Sequence, residues 1–329
     1  MKVCIVGGTG NISTSTVRLL LKLGHEVTCY NRGQSGELPG GARRIVGDRK
    51  DREAFERAMQ KEGFDAAIDM ICFNREDALS SIRAFQGVKH FVQCSTVCTY
   101  GIAYDWFPAT EDHPLRPITP YGQNKVAADH AFLEAFHGQK FPATIIKPST
   151  TYGPKQGMLR QIGRGFGWID RIRRGKPVLV CGDGNALHQH LHVDDAALCF
   201  AHVVGKPQCV GQTYNMVDRG FITWADHHRI AMKVLGREVE LVGIPLADLV
   251  ALNQPETNIC RDIFAHHTYY SNAKLCRDVP EFRPVISLEE GMTRVIEAMD
   301  RDGRIPSAEA DDWEDRVIAA LRKVRTCLA

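Results

Sequence analysis

No two cysteines in this chain have the Cys-x-x-Cys spacing of a zinc site or a redox dithiol, although 11 cysteines are present. Several of them (Cys4, Cys29, Cys94, Cys199) stand inside apolar runs, and the count is odd. They read as small buried hydrophobes in a reducing compartment, so neither a disulfide framework nor a bound metal is expected. No apolar stretch reaches membrane-spanning length, and the chain opens on a strand-like run without a basic region leading into an apolar one. The expectation is a cytoplasmic protein with no membrane partner. Charge of one sign is also lacking: the formal net charge is +2, which singles out no polyanion and makes nucleic acid an unexpected partner. What remains is a composition of 44% hydrophobic and 24% charged residues over 329 positions. That is a globular chain of two ordinary domains, or one large α/β unit with an appendage.

The first 22 residues carry the clearest local pattern. KVCIVGG is an apolar run ending in glycine, as a buried parallel strand does. Gly7-Gly8-Thr9-Gly10-Asn11-Ile12-Ser13 follows, and then STVRLLLKLGH with apolar residues at helical spacing. Strand, glycine turn and helix form the start of a dinucleotide-binding βαβ unit, in which Gly7 permits the tight turn and Gly10 lets the backbone approach a pyrophosphate. The third glycine position holds Ser13, which predicts slightly looser packing of helix on strand. HEVTCYNRG is the second strand, and an acidic residue at its end would favour NAD by binding the ribose hydroxyl. Asn31 and Arg32 stand there instead, which favours NADP over NAD while leaving NAD open. ARRIVGDRKD, FDAAIDMICF, VKHFVQCST and FPATIIKP supply four further strands, with helical segments between the earlier ones. The fold class is therefore α/β, a Rossmann doubly wound parallel sheet with a smaller C-terminal substrate domain. The boundaries read as 1–150 for the NAD(P)-binding domain and 151–329 mainly for the substrate domain, with 188–217 returning to the sheet.

Within ITPYGQNK, Tyr121 and Lys125 are four residues apart and share a helix face. An ammonium beside a phenol favours the phenolate, so the pair suggests a proton-transfer group made from a residue that ordinarily titrates near about 10. Asp48, at the end of the third strand, is placed to accept from an adenine amino group.

The motifs GGTGxxS, ST-x-x-x-YG, PYGxNK, KPxxxYGP, GDGxxxxxxxHVDD and FITW, in that order, resemble the extended short-chain dehydrogenase/reductases. The likeness is strongest to the NAD(P)-dependent epimerase/dehydratase group that acts on nucleotide sugars, and it runs from Met1 to about Arg304. The resemblance implies an enzyme that exchanges hydride with a sugar carbon. Tyr121 moves the accompanying proton, Lys125 holds the nicotinamide ribose and lowers the Tyr121 pKa, and Thr96 orients the substrate oxygen. It places Gly7, Thr9, Gly10, Asn11 and Ile12 around the pyrophosphate, Asn31 and Arg32 at the ribose, Asp48 and Arg49 near the adenine, and Pro148 along the cofactor. Thr96, Tyr121, Thr150 and His188 are the implied substrate contacts, and a homodimer through the Tyr121 helix is the implied assembly. The expected reaction is epimerisation of a sugar, nucleotide-activated, through a transient keto intermediate. An NADPH-dependent ketosugar reductase is the near rival, and an RNA-binding protein on the same fold is the rival from another class.

Two departures from the pattern bear on the reaction. Where sugar 4,6-dehydratases carry Asp-Glu after the threonine, this chain has Val97-Cys98, which speaks against that elimination. Cys98 reads either as an acid/base thiol with a lowered pKa or as packing at a strand end. Where relatives that hold a diphosphate place an arginine, His188 stands, and Thr150 replaces an asparagine. His188, His190 and His192 alternate along an apparent strand and would share one face. Arg160, Arg164, Arg171, Arg173, Arg174 and Lys176 are expected to form a solvated helix face that lends one or two arginines to the substrate. The segment DDWEDRVIAALRKV reads as a C-terminal helix outside the shared motifs.

Overall fold

The computed structural model describes residues 1–163 and 165–328, so Arg164 lies outside the described residues. Five short apolar runs become the buried strands β1 (Lys2–Val6), β2 (Glu26–Asn31), β4 (Ala66–Asp69), β5 (His90–Cys94) and β6 (Ala143–Pro148), with β3 (Arg43–Val46) beside β2. With Thr213–Met216 they form one seven-stranded sheet ordered Thr213–Met216, β6, β5, β4, β1, β2, β3. Each pairing in it is parallel, in register for example at Val3 with Val27 and Val3 with Ala66. The chain order reverses next to β1, and the carboxyl ends beside that reversal are where such sheets collect ligands. Helices α1 (Asn11–Lys22), α2 (Arg52–Glu62), α3 (Arg75–Ala84) and α4 (Pro120–Gln139) connect the strands. One apolar core, including Val3, Ile5, Val17, Leu20 and Phe200, lies on one face of the sheet; a second, including Phe55, Phe85, Phe91 and Phe132, lies on the other.

The chain divides into two compact units. The first holds Met1–Thr151, His190–Arg219 and Tyr270–Val285; the second holds Tyr152–Gln189, Gly220–Tyr269 and Ile286–Ala329. The segment 270–285, read from sequence with the second domain, thus packs with the first: Tyr270 and Leu275 are buried there, and Tyr214 donates to Asp278 at 2.8 Å. The alternating histidines do not lie on one strand. His188 ends the two-residue strand Leu187–His188, which pairs antiparallel with Ile222–Thr223 in the second unit. His190–His192 is a separate strand of the first unit, and His192 then caps the helix Val193–Val203 by accepting from the Asp194 amide.

The second unit has its own core around Trp168, Ile172, Val178, Met292 and Met299. Its arginines are a solvated face only in part: Arg174 is exposed and Arg173 half-buried. Arg160 and Arg171 are 4% and 3% exposed and belong to a buried charge cluster with the C-terminal helix Trp313–Leu328. Arg160 Nη1 donates to both carboxylate oxygens of Glu314 at 3.0 and 2.9 Å, and Glu314 also accepts the Leu179 amide. Arg171 and Lys176 share Asp315; Arg173 pairs with Asp300, and Arg174 with Asp170 and Glu309. The C-terminal helix, which no motif predicted to matter, supplies the countercharge that makes this burial possible. Among the described residues no helix is long and apolar enough to cross a membrane.

Candidate active site

Strand β5 delivers Ser95 and Thr96 to the carboxyl edge of the sheet, where the chain turns into a single 3₁₀ turn, Val97–Tyr100. Thr96 caps that turn: its hydroxyl accepts from the Cys98 amide at 3.2 Å, and the Thr99 hydroxyl donates back to the Thr96 carbonyl at 2.9 Å. Helix α4 starts close by because its sequence carries two signals of a helix start, a threonine cap and a proline in the first turn. Thr119 caps it by accepting from the Gly122 amide at 3.1 Å, and Pro120 occupies the first position. Gly122 has a second role, since a Cβ there would stand 2.7 Å from the Cys98 carbonyl oxygen. Only glycine lets the first turn of α4 approach the Thr96 turn this closely.

Tyr121 and Lys125 follow on one face of α4. Lys125 is 1% exposed, and its Nζ donates to the carbonyls of Cys72 and Cys94 at 2.8 and 2.7 Å, pinned at the ends of β4 and β5. It stands 5.8 Å from the centre of the Tyr121 ring and 4.9 Å from that of Phe73. Although 45% of Tyr121 is exposed, desolvation at its hydroxyl pushes the phenol above its ordinary range, and Cys94 and Cys98 add to the rise. The neighbouring Thr96 side chain favours the ionised form of the Tyr121 phenol and so acts to lower its pKa. The net rise corrects the expectation that Lys125 lowers it: the ammonium spends its donors on backbone carbonyls and does not outweigh burial. The raised phenol is held in its protonated form at neutral pH. Of the two readings of Cys98, packing at a strand end is the one that agrees with its surroundings, because burial pushes its thiol up as well. A thiol so placed is a poor base.

A cleft of about 610 Å³ opens beside the β1 turn, lined by Gly7, Thr9 and Gly10 at one end and by Asn31, Arg32 and Asp48 at the other. Gly7 has φ +91°, and a Cβ there would meet Ile71 at 2.8 Å. Gly10 is the N-cap of α1, whose first turn holds no acidic residue, so the amide end of the helix faces no carboxylate of its own. Ser13, at the third glycine position, is buried and accepts from the Gly10 amide at 2.7 Å. Asn31 uses Oδ1 to accept from the Gly33 amide at 3.1 Å, while its buried Nδ2 has no partner among the described residues. Arg32 is exposed and forms no ion pair among the described residues, and Asp48 is exposed with Oδ1 accepting from the Lys50 amide. These features fit a dinucleotide: a glycine cradle at a helix N-terminus, and spare donors where its ribose would lie.

Arg49 lines the cleft beside Asp48, but its guanidinium is engaged by the protein itself. It is 6% exposed, ion-paired to Asp69 at 2.8 Å, and donates to the Asp77 carbonyl and the Ser81 hydroxyl. It braces the cleft wall. Ile12 packs against the core and Asn11 opens α1; neither lines the cleft among the described contacts. Pro148 is buried at the end of β6 and Thr150 is half-buried two residues on. His188 is 4% exposed in the second unit, stacked on Trp224 at 4.6 Å, edge-on to Phe264 at 4.9 Å, with Nδ1 3.0 Å from the Thr268 hydroxyl. It is a packed aromatic of that unit's interior. Sequence reading missed Ser35, Lys50, Arg52 and Phe73, which also line the cleft. Phe73 sits in FDAAIDMICF as one more apolar residue, and only the fold turns it outward.

The sequence profile of the NAD dependent epimerase/dehydratase family matches residues 3–216. The chain belongs to this family. It is an enzyme of the extended short-chain dehydrogenase/reductase type, a family that depends on NAD(P). Among this family member's relatives, the 2'-dehydrokanamycin reductase of Streptomyces kanamyceticus is 27% identical over 330 residues, covering 99% of this chain and 92% of that one. The chloroplast stem-loop binding protein of 41 kDa b from Arabidopsis thaliana is 25% identical over 309 residues, covering 89% and 77%. In fold, the family member is similar to UDP-glucose 4-epimerase of Thermotoga maritima, solved with UDP-glucose. That match has a TM-score of 0.73 at 21% identity, covering 92% of this chain and 99% of that one.

Proposed function

We propose that this enzyme is an NADPH-dependent reductase of a sugar ketone. The observation that carries the reading is the ribose end of the cleft, where Asn31 and Arg32 stand with spare donors and no carboxylate ends β2. A 2′-phosphate is attracted there, whereas an acidic residue would repel it. When bound, the reduced nicotinamide supplies the hydride for the carbonyl carbon. Thr96 then holds the substrate oxygen through its hydroxyl, and Tyr121 donates the phenolic proton to that oxygen as it becomes an alcohol. The protonated state of Tyr121 suits this direction of reaction. Lys125, fixed on two carbonyls, keeps a positive charge beneath the site while the proton moves.

Two further observations favour a reductase over an epimerase. An epimerase must retain a keto sugar while it turns over in the site, which calls for a firm hold on the part of the substrate that does not react. The position where relatives place an arginine for that purpose holds His188, packed between Trp224 and Phe264. In addition, one relative, aligned along 99% of the chain, is a 2'-dehydrokanamycin reductase. Against the RNA-binding reading stands the pairing of Arg171, Arg173 and Arg174, each with a carboxylate.

The deciding experiment gives the purified enzyme NADPH and a panel of keto sugars. One NADPH consumed per alcohol formed is the expected result. Turnover of a nucleotide sugar with no net use of added cofactor would replace this reading with epimerisation.

A further inference from the structure

A buried charged pair lies directly beneath Thr96 and Tyr121, and the reaction as derived makes no use of it. Asp129 sits on α4 two turns beyond Tyr121 and one beyond Lys125, about 12 Å from Tyr121 along the helix axis. Lys147 stands on β6. They are 2% and 3% exposed, and Lys147 Nζ donates to Asp129 Oδ2 at 2.7 Å. The same carboxylate oxygen accepts the Ser95 hydroxyl at 2.7 Å, one residue before Thr96. Lys147 Nζ also donates to the Thr99 hydroxyl at 2.7 Å, and that hydroxyl donates to the Thr96 carbonyl at 2.9 Å. The Thr96 segment is thereby tied from both sides to one carboxylate on the helix that carries Tyr121.

As a stabilising device this arrangement is uneconomical. Both donors converge on Oδ2, and the buried Oδ1 has no partner among the described residues. Burying an ion pair costs several kcal/mol in desolvation, and apolar replacements are often as stable or more so. What the pair does achieve is registration. How Tyr121 meets Thr96 depends on how α4 lies along the end of β5, where Gly122 lets the first turn approach Cys98 and Lys125 holds the Cys94 carbonyl, and Asp129 adds the tie to Ser95 beside Thr96.

We propose that Asp129, gripped by Lys147, is a positioning residue that holds the Tyr121 helix in register with Thr96. The inference rests on the reading that Tyr121 and Thr96 handle the substrate oxygen. The test compares Asp129→Asn with the double variant Asp129→Asn/Lys147→Met, in NADPH-dependent reduction and in thermal unfolding. The single variant leaves a buried ammonium without its carboxylate and loses both stability and turnover. The double variant removes the stranded charge and recovers the melting temperature, yet the tie between α4 and the Thr96 segment stays broken. Its kcat is expected to remain tenfold or more below wild type, with KM and NADPH affinity within about twofold. A double variant that regains wild-type kcat together with its stability overturns the proposal. Tyr121→Phe run in parallel separates the two failures. If that variant keeps its turnover, the functional reading falls; if it is inactive while the double variant is fully active, only the role of Asp129 falls.

Discussion

In the first unit two of the basic residues that line the cleft, Arg32 and Lys50, are exposed and form no ion pair among the described residues, while Arg49 and Arg52 pair with Asp69 and Asp77. In the second unit, Arg160, Arg171, Arg173, Arg174 and Lys176 all meet carboxylates of their own unit. Before folding, the second group was the more conspicuous, six cations in a short stretch of sequence. The difference shows that the density of positive charge along a chain says little about binding. What matters is whether a countercharge waits elsewhere in the fold, and Glu314 is 154 residues from Arg160.

The largest effect expected from breaking this contrast belongs to the first unit. Tyr121→Phe removes the proton donor and should lower kcat by about 10²–10⁴-fold while NADPH still binds, as steady-state rates and fluorescence titration would report. Next comes the second unit. Glu314→Ala strands Arg160 in the interior and should cost about 3–5 kcal/mol in denaturant unfolding. Cofactor affinity at the first unit should survive it. A loss of under 1 kcal/mol would mean that the buried cluster is solvated and that the contrast between the units is weaker than described. Arg32→Ala tests the exposed cation: NADPH affinity should fall about tenfold, or about 1.4 kcal/mol, with NADH affinity unchanged. An equal loss for both cofactors would show that Arg32 does not read the 2′-phosphate. The smallest effect is Arg173→Ala. Its pair with Asp300 is 35% and 43% exposed, and surface pairs contribute less than about 1 kcal/mol. A melting curve resolves that change.

The parts legible in the sequence were those whose physics is local. The β1 turn and α1 are written in seven consecutive residues, because a positive φ, a close approach and a helix start all constrain neighbours in sequence. Tyr121 and Lys125 were legible because helical spacing puts them on one face, and Thr96 because it ends an apolar run. The state of the site was not legible. Whether Lys125 or desolvation sets the protonation of Tyr121 depends on the carbonyls of Cys72 and Cys94, which only the sheet brings to Lys125. The partners of Arg49 and His188 were not legible for the same reason. Each was assigned by its place in a motif, and each is taken up by partners far away, Asp69 and Ser81 in one case, Trp224 and Phe264 in the other. The three histidines misled because strict alternation resembles a single strand, whereas the chain passes from one unit to the other at Gln189.

The interleaving of the two units carries a consequence for synthesis. Strand β6 is complete by residue 148, yet the strand that pairs with its outer edge is residues 213–216. A nascent chain must therefore make much of the second unit while the wholly buried β6 still presents open backbone donors and acceptors, which is when exposed strand edges recruit wrong partners. The second unit in turn waits for Glu314 and Asp315 before its arginines are matched. Neither half can finish folding ahead of the other in the order in which the ribosome makes them. Truncations placed near residue 150 should yield an aggregating fragment in place of a free-standing cofactor-binding domain.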